Sequence, residues 1–193
     1  MKARLLVAAL LLIALGAVAR ERLVRRRQVS ITDPHLSQSG RAWLLDGEPF
    51  DGELLETGAD GTLTVRPVRK GLVDGWVRGW YADGSPRLER AYIAGEKSGP
   101  QREWWPGGVP RMIGLQAHDL QVGELRTWYV KGQPHEWMHY AAGHEQGMER
   151  VWYVDGQVRA NYEVKGGRRY GFVSPMACEG TTRDSMDAQE ALR

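Results

Sequence analysis

Cysteine occurs once in 193 residues, as Cys178. A lone thiol excludes an internal disulfide framework and any structural zinc site built on two or more thiolates. Phenylalanine is scarce as well, with two residues against eight tryptophans and seven tyrosines. Rings that carry a polar edge suit a half-exposed sheet, in which one side packs and the other meets water. An apolar spacing of 3.6 residues does not persist anywhere from Gly75 to Gly171, and glycine recurs too often there for helix. Gly-x-Ser-x-Gly, Walker and dinucleotide-binding motifs are missing, and no nucleophile, base and oxyanion donor converge in the pattern. The expectation is a protein that is not an enzyme, with no catalytic residue, no cofactor and no small-molecule substrate.

Long apolar runs are also rare. The longest spans Leu5 to Ala19, follows Lys2 and Arg4, and ends in the small residues Ala17-Val18-Ala19. It is shorter than the roughly 20 residues of a membrane-crossing helix, as a signal peptide would be. The bases that follow it, Arg20, Arg22 and Arg25-Arg26-Arg27, oppose export and favour an uncleaved hydrophobic helix with its basic flank inside. Residues 1–27 are therefore read as a signal peptide or a membrane anchor, with both alternatives open. Either one places the chain in the cell envelope and allows a membrane contact through residues 1–27. The same segment hides the charge balance of the rest. The chain carries a formal +2, but seven bases and one acid fall in residues 1–27, which leaves 19 bases against 23 acids beyond it. A net acidic body argues against nucleic acid as a partner.

What the sequence does have is a period. Glycines stand at Gly75, Gly99, Gly123, Gly147 and Gly171, every 24 residues. The first four are each followed by an aromatic pair: Trp80-Tyr81, Trp104-Trp105, Trp128-Tyr129 and Trp152-Tyr153. Arginine keeps the same beat at Arg78, Arg102, Arg126 and Arg150, and a second column reads Arg87, Arg111, His135 and Arg159. Turn signals recur as Asp83-Gly84, Gly107-Gly108, Lys131-Gly132 and Asp155-Gly156. A fixed period of this size predicts stacked supersecondary units. Each unit reads as a β-hairpin with a type I′ turn at Asp-Gly and a looser return near Gly95, Asp119, Gly143 or Gly167. The predicted fold is all-β: an elongated, single-layer antiparallel β-meander of 24-residue hairpins. Its domains are a tether at 28–40, the array at 41–173, opened by a shortened unit at Trp43-Leu44-Leu45-Asp46-Gly47, and a flexible tail at 174–193.

A two-residue turn at Asp83-Gly84 would set Tyr81 opposite Pro86, Trp80 opposite Arg87 and Arg78 opposite Glu89. Strand alternation then gathers one candidate partner-binding face: Arg78, Trp80 and Arg87; Arg102, Trp104 and Arg111; Arg126, Trp128 and His135; Arg150, Trp152 and Arg159. The opposite face collects Val77, Leu88, Tyr129, Met138, Tyr140, Val151, Tyr153, Tyr162 and Val164 and is expected to pack. As a surface the Arg/Trp lattice would attract an acidic protein patch; as a structural feature it is a cross-strand ladder.

These units resemble the MORN-repeat variant, common in bacterial proteins labelled YwqK-type toxin–antitoxin antitoxins. The resemblance covers about Trp43 to Phe172 and is carried by the aromatic pair, the turn glycine and the spacing. It implies a hairpin array used for binding or scaffolding, and it brings no catalytic residue with it. The chain departs from the pattern at Val77, Gln101, Leu125 and Glu149, where a tryptophan is expected.

Metal is not expected. His135 and His139, four apart on a strand, would share a face with Trp137 between them but stand about 13 Å apart at a rise of about 3.3 Å per residue. Glu89, Glu96 and Glu103 are assigned to different strands as solvated partners of the arginines. The expected function is a non-enzymatic repeat scaffold of the bacterial envelope that binds a protein partner, so far unidentified, through its sheet surface. Two alternatives stand beside it: a cytoplasmic antitoxin that neutralises a toxin, and association of the sheet with anionic lipid.

Overall fold

The computed structural model describes residues 27–173. The expected signal or anchor helix, the tail and Cys178 lie outside the described residues. Among those described, no helix is long and apolar enough to cross a membrane.

The chain is all-β. It begins with β1 (Gln28–Ser30), β2 (Leu36–Ser39), β3 (Ala42–Leu45), β4 (Glu48–Pro49), β5 (Gly52–Thr57), β6 (Leu63–Arg69) and β7 (Leu72–Val73). There follow β8 (Gly75–Trp80), β9 (Pro86–Ile93), β10 (Glu96–Trp104), β11 (Pro110–Ala117) and β12 (Leu120–Trp128). The last are β13 (Pro134–Ala141), β14 (His144–Glu145), β15 (Gly147–Trp152), β16 (Val158–Lys165) and β17 (Arg168–Val173). An open meandering sheet runs in the order β1-β5-β6-β8-β9-β10-β11-β12-β13-β15-β16-β17, with β7 on β6 and β14 on β13. Every pairing is antiparallel except β1 with β5. A separate three-stranded sheet is formed by β2, β3 and β4.

The stretch 28–40, expected to be a tether, is therefore paired structure. Val29 lies beside Leu54 in the parallel pairing, and Leu36–Ser39 pairs with Ala42–Leu45. The reason is apolar: Val29, Leu45, Phe50, Leu54 and Val68 are buried together, with Ile31, Leu36, Trp43 and Val73 against them. Burying each such side chain contributes about 1.5–3 kcal/mol, an upper figure because unfolded chains already bury some surface. Trp43 N donates to Gly71 O at 2.7 Å and Gly71 N to Phe50 O at 2.8 Å, which seals the small sheet onto the large one. A second cluster, Ala160, Tyr162 and Val164 with Val151, lies near the other end.

The turns are placed the other way round from expectation. Tight two-residue turns with both residues at positive φ occur at Ala94-Gly95 (48° and 86°), His118-Asp119 (51° and 63°) and Ala142-Gly143 (47° and 82°). These are the type I′ connections. At Asp83-Gly84 only the glycine has positive φ, and Tyr81 N bonds Ser85 O while Gly84 N bonds Tyr81 O. That is a three-residue loop with its glycine as the αL residue. Asp83 supports it, because its Oδ1 accepts from Ser85 N at 2.8 Å and from Ser85 Oγ at 2.6 Å; the same loop forms without an aspartate at Gly107-Gly108 and Lys131-Gly132.

One extra loop residue changes the register beyond it. Trp80 pairs with Pro86 and Gly79 with Leu88, so Arg87 is unopposed. The same two-against-one step leaves Arg111, His135 and Arg159 unopposed. A bulge of this kind turns the extra side chain toward the face of its neighbour.

Candidate functional site

The pairing register defines the two faces. Directly opposed residues share a face, and one row runs Arg78, Glu89, Arg102, Ile113, Arg126, Trp137, Arg150, Asn161 across eight strands. The expected pairing of Arg78 with Glu89 is present, with Nε 3.3 Å from Oε1. Trp80, Trp104, Trp128 and Trp152 lie two residues along from the arginines of this row and belong to the same face.

The other expected members do not. Arg87 donates to Thr64 Oγ1 at 2.8 Å and lines a groove with Val77 and Leu88. Arg111 lies 4.6 Å over the Trp105 ring and Arg159 5.8 Å over Tyr153. His135 sits 4.6 Å from the Tyr129 ring, with Nδ1 3.2 Å from Thr127 Oγ1. The bulges carry all four to the face of the second aromatic of each pair. The candidate lattice of twelve residues is thus two sets: eight on one face and Arg87, Arg111, His135 and Arg159 on the other. For the same reason His135 and His139 do not share a face, since His139 stays beside Trp137 at 5.4 Å. Glu96 and Glu103 also prove to share β10, pairing respectively with Arg41 (3.4 Å) and Arg111 (3.7 Å).

The second face is the packed one, as its apolar residues lead one to expect. Val77, Leu88, Tyr129, Met138, Ala160, Tyr162 and Val164 are buried. Along its rim each second aromatic reaches the next strand pair: Tyr81 Oη donates to Trp104 O at 2.6 Å, Trp105 Nε1 to Trp128 O at 2.9 Å, and Tyr129 Oη to Trp152 O at 2.9 Å.

Glu149 is the residue on this face that the sequence reading passed over. Its side chain is fully buried, and both carboxylate oxygens accept from His139 N, at 3.1 and 2.9 Å. Burial pushes its pKa up to about 7 against the pull of that hydrogen bond and of the His139 charge, with Glu145 adding to the rise and Arg169 opposing it. The signal lay in the column Val77, Gln101, Leu125, Glu149, in which one member alone is an acid.

On the row face, Arg126, Trp128, Pro134, Trp137 and Trp152, bordered by Thr127 and Glu136, line an open cleft of about 320 Å³. Arg126 lies 5.4 Å over Trp137, and Arg150 5.8 Å over Trp152. The sequence placed Trp137 on the face of His135 but did not count it in the lattice, because its column reads Glu89, Ile113, Trp137, Asn161 and keeps no type. Its buried Nε1 has no hydrogen-bond partner, which costs rather than adds stability, about 1–3 kcal/mol. Among the described residues, no group of three His, Cys, Asp or Glu is arranged to hold a metal ion. No protein-family model matches the chain, and no curated protein matches it.

Proposed function

We propose that the protein is a non-enzymatic repeat scaffold of the bacterial cell envelope that binds a protein partner through the Arg/Trp face of its sheet. The observation that carries this reading is the row of four arginines with its flanking tryptophans, laid out on the face opposite the buried one. A surface of indoles and guanidinium groups suits an acidic protein patch, since indoles supply contact area and guanidinium groups supply bidentate donors. We read the strand pairs as successive 24-residue hairpins in a single layer, of the MORN-variant type. The aromatic-to-carbonyl bonds from Tyr81, Trp105 and Tyr129, each reaching 23 residues ahead, support that reading. The envelope assignment comes from the composition of residues 1–27.

The test is recovery of a partner from cell lysate with the full chain and with a variant carrying Arg102→Glu, Arg126→Glu and Arg150→Glu. Loss of the partner with an unchanged circular dichroism spectrum is expected. Unaltered recovery removes the face from the proposal. Fractionation, with the mass of the native N-terminus, tests the envelope assignment, and a soluble full-length protein would refute it.

A further inference from the structure

The row face has two halves of different charge. Glu89 stands between Arg78 and Arg102 and pairs with both, at 3.3 and 3.6 Å. The equivalent place between Arg126 and Arg150 is held by Trp137. An indole thus stands where the first half has the carboxylate that neutralises two guanidinium groups. Arg126 makes up for this through Glu124 on its own strand, at 2.6 Å. Arg150 does not. Its contacts are the Asn161 amide oxygen at 3.5 Å and the Trp152 ring, and among the described residues it forms no ion pair. This cation lies over the ring of Trp152, which lines the cleft together with Trp128 and Trp137.

We infer that this cleft is a binding site for an acidic peptide segment of the protein partner. Arg150 takes a carboxylate of that segment, and a neighbouring proline or other apolar side chain sits among the three indoles. The inference rests on the proposal that this face binds protein, and it places the contact at one end of the face. The chemistry selects peptide over saccharide. Three indoles and Pro134 give apolar walls. Thr127 and Glu136 also border the cleft, but their pairing with each other and with Val151 puts their side chains on the packed face. The Arg150 charge against Trp152 matches one carboxylate beside one apolar group. A sugar ring would need several polar partners for its hydroxyls. Prolines seat well between aromatic walls because their extended conformation costs little entropy on binding.

The test uses the full chain labelled with nitrogen-15 and follows its eight indole N–H resonances. The probes are acetylated Asp-Pro and Lys-Pro alternating peptides of about a dozen residues, a length that spans the cleft in extended form. The Asp-Pro peptide is expected to shift Trp128, Trp137 and Trp152 and to leave Trp80 and Trp104 in place, while the Lys-Pro peptide shifts none. Arg150→Gln should weaken binding about tenfold, as loss of a charge-assisted pair does. Trp137→Glu restores the arrangement around Glu89 and should abolish binding, whereas Glu89→Trp should add shifts at Trp80 and Trp104. Equal shifts at all these indoles, or undiminished binding by the Trp137→Glu variant, would overturn the site. So would silence with the Asp-Pro peptide while polygalacturonate oligomers or anionic vesicles shift the same indoles. If the partner is lost with Arg102→Glu but kept with Trp137→Glu, the face stands and this site falls.

Discussion

Replacing Glu149 by glutamine should stabilise the protein at alkaline pH and leave it unchanged in acid. Glutamine keeps an oxygen to accept the His139 N–H and removes the ionisable group. The column already holds one buried amide, Gln101, which donates from Nε2 to Ala91 O at 3.1 Å and to Gly99 O at 3.2 Å. The sign follows from the direction of the shift. A carboxyl whose folded pKa is about 7, against an ordinary 4.5, binds its proton more tightly when folded. Stability is therefore lost as pH rises from about 4.5 to 7, and the penalty is complete above 7. A shift of this size corresponds to roughly 3 kcal/mol at 1.36 kcal/mol per pH unit, or a rise of about 6–12 °C in Tm for a domain of this length. The assay is thermal unfolding of both proteins by circular dichroism from pH 5 to pH 8. Titrations shared by the two cancel in the difference, which should grow as pH rises between the unfolded and folded pKa values and level off above about 7. A difference that does not change with pH, or a glutamine variant less stable at pH 8, would refute the reasoning. Glu149→Ala, which strands the His139 N–H and opens a cavity, should be less stable at both ends of the range.

Two further outcomes follow from side-chain bonds at the turns and the rim. Tyr129→Phe removes the hydroxyl that bonds Trp152 O and should cost about 1 kcal/mol in urea unfolding, the net worth of one such hydrogen bond. Asp83 is held below the usual carboxylate range chiefly by its side-chain bond from Ser85, so Ser85→Ala should raise that pKa toward the ordinary value in an NMR titration. The stability this aspartate contributes is present above its unfolded pKa and lost as pH falls through the folded one.

The strand content, the packed face and the Arg78–Glu89 pairing could all be read from glycine spacing and alternation. The bulges could not. Asp83-Gly84 has the composition of a two-residue turn, yet the same three-residue loop forms at Gly107-Gly108 and Lys131-Gly132, so a residue-pair rule misses the loop length common to all the units. Since one residue of slip moves a side chain across the sheet, that extra residue separates Arg87 from Trp80. Val29 and Leu36 were hidden by their polar neighbours, because short strands with one or two apolar residues give no period to detect. Glu149 escaped because its burial depends on where the ladder between β13 and β15 is interrupted.

The parallel pairing of β1 with β5 bears on the order in which the molecule assembles. Elsewhere in the main sheet each strand adds beside one that has just been made, so a growing chain can register every strand as it emerges. Gln28 and Val29 meet Glu53 and Leu54 only after some 25 intervening residues exist, which is the one wide loop closure in the sheet. β1 is thus made before β5 and docked late, and during synthesis Val29 waits in water for the strand that will cover it.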